Sequence, residues 1–70
     1  MTTDELLSDL RDSKTDLARV IEAVVRDRLP YIVVSSYAVK AWKEREPQHF
    51  AMVTEWLAAR NVVIVQVSVP

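Results

Sequence analysis

Glycine and cysteine are both missing from this 70-residue chain, and histidine occurs once, at position 49. Each absence removes a class of chemistry. Without glycine the chain cannot build the loops in which bare backbone N–H groups close on a phosphate. The GxGxxG fingerprint, the Walker A loop and the GXXG loop of KH domains are therefore excluded. Without cysteine there is no disulfide, no thiolate nucleophile and no sulfur-ligated metal. A single histidine leaves no His-rich metal site within one chain. The longest aliphatic runs, "YIVV" and "VVIV", fall far short of the roughly 20 residues that span a bilayer. The opening "MTTDELLSDL" carries acids where a secretory signal carries bases, and it has no apolar stretch of its own. A cytoplasmic protein is expected, with no membrane association, no cofactor and no small-molecule substrate.

What is present is a single small domain, residues 1–70, of which half the residues are hydrophobic. A chain this short buries only about 60% of its unfolded surface. With disulfides and metals excluded, association with another subunit is the remaining support. The net charge of −1 conceals an asymmetry. Residues 1–16 carry five acids and two bases, residues 17–46 four acids and six bases, and residues 47–70 only Glu55 and Arg60. A nucleic-acid binder usually shows a stronger basic footprint than this.

Residues 3–28 read as one long helix. Thr2 and Glu5 match a capping box, and Leu6, Leu10, Leu17, Val20, Ile21 and Val24 form one stripe at helical spacing. Asp9, Asp16, Arg19, Glu22 and Arg26 lie opposite, with Glu22 and Arg26 in the favourable i,i+4 order for a surface pair. The "DSKTD" segment offers an alternative break, but the stripe passes through it in phase, and continuity is the expectation. Pro30 stops the helix. "YIVVS" (31–35) reads as a strand, Ser36 as the cap of a helix over 37–45, and Pro47 as the first turn of a helix over 47–60. Asn61 is the best left-handed terminator in a chain without glycine, and "VVIVQVSV" (62–69) is a second strand. The expected fold is α+β, in the order α-β-α-α-β. Two strands make a poor sheet, so pairing with a second copy is expected to complete it.

Few side chains suggest chemistry. His49 has Ser35, Ser36 and Glu46 as candidate partners, but no nucleophile–base–orienter set follows from their spacing. The tryptophans at 42 and 56 sit on apolar helix faces and read as core. On 47–60, Phe50, Val53, Trp56 and Leu57 form the inner arc. Gln48, Ala51, Met52, Glu55 and Ala59 form the outer one. From residue 17 to 69 the element order resembles a winged helix lacking its last strand, which implies DNA binding. A groove-reading helix needs basic and amide side chains aimed at bases and phosphates, and this one offers Gln48 against Glu55. The better basic set lies on the preceding helix, at Lys40, Lys43 and Arg45. The primary expectation is thus a non-enzymatic, homodimeric regulatory or interaction module that binds a protein partner through Gln48, Met52, Glu55 and Ala59. The alternative is a DNA-binding regulator contacting phosphates through Lys40, Lys43 and Arg45.

Overall fold

The computed structural model describes residues Thr2–Ser68, and among them the chain is a small α+β fold of four helices and two parallel strands. The elements are α1 (Thr3–Asp12), α2 (Leu17–Asp27), β1 (Tyr31–Ser35), α3 (Ser36–Arg45), α4 (Pro47–Ala59) and β2 (Val63–Val67). Val69, which the sequence places in the second strand, lies outside the described residues. Among the described residues no helix is long and apolar enough to cross a membrane.

The expected long helix is two helices. Lys14 takes a left-handed backbone, φ 55°. Thr15 N–H reaches back to Leu10 O at 3.2 Å, and Lys14 N–H to Arg11 O at 3.0 Å. That pair of bonds is a Schellman motif, which closes a helix by satisfying its last carbonyls. Ser, Thr and Asp compete with helix geometry through their own side chains. Here Thr15 is buried and its Oγ1 accepts from Leu17 N–H at 3.2 Å. The chain then folds back, so Arg11 meets Glu22 at 3.2 Å. In a straight helix residues 11 apart would be separated by about 16 Å. The expected Glu22–Arg26 pair is not formed, since Glu22 goes to Arg11 and Arg26 forks onto Asp27.

The remaining caps follow the sequence closely. Thr2 Oγ1 accepts from Glu5 N–H and donates to Glu5 Oε1. Ser35 rather than Ser36 caps α3, accepting from Ala38 N–H at 3.1 Å, and Ser36 donates instead to Val67 O at 3.2 Å. Pro47 occupies the first turn of α4. Asn61, φ 58°, ends α4 by a second Schellman motif, in which Val62 N–H bonds Leu57 O at 2.9 Å.

Strands β1 and β2 pair in parallel, Tyr31 opposite Val63 through Ser35 opposite Val67, with α3 and α4 forming the crossover. Period-two alternation divides the sheet. Ile32, Val34 and Ile64 face inward. With Leu17, Val53 and Leu57 among the helical side chains they leave a gap of only about 10 Å³. Leu6, Leu10, Leu17, Ile21, Val53 and Leu57 are the most deeply buried residues, so the core is a meeting of α1, α2 and α4 under the sheet. The opposite face of the sheet carries Tyr31, Val33, Val63, Val65 and Val67, each between 39% and 60% exposed.

Among the described residues three non-glycine residues, Lys14, Arg28 and Asn61, hold positive φ. A side chain raises the left-handed conformation by roughly 1–2 kcal/mol, and glycine returns part of that gain as unfolded-state entropy. Lys14→Gly is therefore expected to raise the unfolding free energy by about 0.5–1 kcal/mol, read as a higher urea midpoint with an unchanged slope. A lower midpoint would mean that the Lys14 side chain stabilises the turn.

Candidate functional site

Both tryptophans act as ties between elements. Trp56 is 6% exposed, and its Nε1 donates to Thr3 Oγ1 at 3.0 Å, fastening α4 to the start of α1. Arg60 lies over the Trp56 ring, 4.0 Å from the centroid, and donates to the same Thr3 oxygen at 2.9 Å. Trp42 is half-buried. It stacks on Phe50 with centroids 5.9 Å apart, and its Nε1 donates to Asp16 Oδ1 at 3.0 Å. Asp16, at the start of α2, makes no side-chain cap bond and serves the indole instead. These bonds satisfy the polar atom of each large ring where burial would otherwise penalise it.

The residues on α4 expected to meet a partner divide. Met52, Glu55 and Ala59 line an open hollow of about 360 Å³ together with Leu6, Trp56 and Arg60. Met52 is half-buried and packs on the core; Glu55 and Ala59 are exposed. Gln48 is exposed but does not line the hollow. Lys40, Lys43 and Arg45 are all exposed on α3 or its last turn, and among the described residues none of them is in an ion pair.

His49 meets residues other than Ser35 and Ser36. Its Nε2 lies 3.4 Å from Ser13 Oγ and 3.5 Å from Asp9 Oδ2, and its Nδ1 lies 3.8 Å from Glu46 Oε1. A serine, a histidine and a carboxylate are thus adjacent, yet the setting opposes nucleophilic catalysis. Ser13 is the C-cap of α1, where the helix dipole is negative and disfavours an alkoxide. Its own N–H bonds Asp9 O at 3.1 Å and cannot serve an oxyanion. The cluster links the end of α1 to the start of α4.

Among charged surface groups, Arg26 and Asp27 make two hydrogen bonds, Nε to Oδ1 at 3.2 Å and Nη2 to Oδ2 at 3.0 Å. This hydrogen bonding, with the opposite charges, raises the guanidinium pKa and holds the Asp27 carboxyl below its ordinary value. The pair is solvated, so it contributes little to stability.

Sequence reasoning missed two features. One is the uncovered apolar face of the sheet. The other is an apolar groove of about 560 Å³ between β1 and α2, where Arg19 supplies the one charged side chain. The apolar character of "YIVVS" on both faces was the available signal for the first; the second depends on the α2–β1 geometry. No protein-family model, no curated protein and no solved structure matches this chain.

The two tryptophans differ in a measurable way. Trp56→Ala is expected to cost roughly 3–5 kcal/mol, a large part of the stability of so small a domain. Trp42→Ala, at a half-buried site, should cost clearly less. Chemical denaturation of the two variants checks the order, and equal losses would contradict it.

Proposed function

We propose that this protein is a non-enzymatic interaction module that works as a homodimer and binds a protein partner. The observation that carries this reading is the apolar outer face of the sheet. Parallel sheets are normally covered on both faces, and here four helices attend to one. The outer ladder pairs Tyr31 with Val63, Val33 with Val65, and Ser35 with Val67. It contains no charge, so two copies can meet there without burying an ion.

The five apolar side chains expose roughly 400 Å² in total, near the size at which a surface patch signifies association. Two copies stacked face to face would bury at most about 800 Å² from these residues, below the roughly 1,000 Å² of a stable specific interface and on the scale of a weak, transient one. That supports a dimer of modest affinity, two-fold symmetric and isologous. It leaves α4 outward, with Met52, Glu55 and Ala59 around the hollow, for a protein partner.

Sedimentation over a wide concentration range tests the dimer. The wild-type chain is expected to pass from 8.0 kDa towards twice that mass as concentration rises, and Val65→Lys to remain at 8.0 kDa with its helical signal intact. Wild-type protein that stays monomeric near millimolar concentration would overturn the reading.

DNA binding through Lys40, Lys43 and Arg45 is the second reading, favoured by three exposed cations without ion pairs. It requires affinity that falls steeply with salt and weakens in Lys40→Ala/Lys43→Ala. Absence of binding at low salt removes it.

A further inference from the structure

The groove beside β1 joins two unmet demands. Val63 N–H donates to Pro30 O at 3.2 Å, with Tyr31 opposite Val63 in the register. In a parallel ladder the bonds to one neighbour come from alternate residues. Pro30, Ile32 and Val34 therefore turn their backbone groups towards β2, while those of Tyr31 and Val33 turn towards the free edge. Along that edge runs the groove, whose α2 wall is Val20 and Ala23 and whose far end is Leu29. A free strand edge asks for backbone partners, and an apolar groove beside it asks for every second side chain of whatever pairs there.

Charge narrows the occupant. Only three residues join α2 to β1, so Leu29 lies near Tyr31, and Arg19, more than two turns earlier, lies towards Val34. Arg19 is exposed and in no ion pair among the described residues. Neither strand of a second copy supplies its counter-charge. Residues 28–40, around β1, carry Arg28 and Lys40 and no acid, and residues 56–70, around β2, carry Arg60 and no acid.

We infer that the β1 edge accepts an extended segment of a different protein as an added strand, with aliphatic side chains at alternate positions in the groove and an acidic residue against Arg19. This is strand addition to a sheet edge, in which main-chain bonds give affinity and alternate pockets give selectivity. It rests on the interaction-module reading and names the chemistry of the partner.

The probe is a blocked octapeptide of alternating valine and threonine with glutamate at both ends, compared with the same peptide ending in lysines. Titration of the full chain, followed by backbone NMR, is expected to show the glutamate peptide binding at least about tenfold more tightly. The shifted amides should be those of Tyr31, Val33 and the facing turns of α2. Arg19→Glu should reverse the preference. Val33→Pro removes an N–H that the β1–β2 ladder does not use and should abolish binding while the helical signal persists. Equal affinity for the two peptides, no binding of either, or shifts confined to the outer sheet face would each overturn the proposal. Val65→Lys should bind the glutamate peptide as wild type does, so loss of the dimer and loss of strand addition are read separately.

Discussion

Parallel pairing of Tyr31–Ser35 with Val63–Val67 fixes most of what this chain can do. Two parallel strands cannot be joined by a tight turn, because the chain must return the length of the first strand before starting the second. Here the return is α3 and α4, broken at Glu46-Pro47. Both helices lie on the side already taken by α1 and α2, where Trp42, Phe50, Val53 and Leu57 meet Ile32, Val34 and Ile64. A crossover of this kind covers one face. Among the described residues no other element lies on the second face, and the five apolar residues there are exposed.

The same economy governs the turns. A chain without glycine still needs left-handed residues to reverse direction, and it places them at Lys14, Arg28 and Asn61. Two of the three sit in Schellman motifs closed by a buried pair: Leu10 with Thr15 after α1, and Leu57 with Val62 after α4. In each case burial of the residue after the turn offsets the backbone strain of the turn itself. The reversals are therefore part of the core. That helps 70 residues support four helices without a disulfide.

Much of this was legible in the sequence. Thr2, Pro47 and Asn61 mark helix ends for stated physical reasons, and each does so in the structure. The break at Ser13–Asp16 was masked because Leu10 and Leu17 are seven residues apart, a spacing that suits a straight helix and a folded-back pair equally. Once the chain folds back, Glu22 faces Arg11, and the i,i+4 partner suggested by the pattern is lost. Strand direction was also hidden, since "VVIV" is apolar on both faces and fits either pairing. Of the site residues, Met52, Glu55 and Ala59 gather around one hollow while Gln48 stands apart. Position on a helix face can be read from a helical wheel. Enclosure by a neighbouring helix such as α1 cannot.

A sheet so small presents two kinds of incompleteness, and they ask for different partners. Its outer face lacks apolar contact, a demand that is non-directional and that any uncharged flat surface of similar width can meet, including the same face of a second copy. The β1 edge lacks backbone partners, a demand that is directional and met only by an extended chain. Stacking two copies face to face leaves both β1 edges open, and adding a strand to an edge leaves the face exposed. The two associations are therefore compatible in one assembly. The added strand would also extend the apolar outer face beyond Tyr31 and Val33, since its alternate side chains continue that surface.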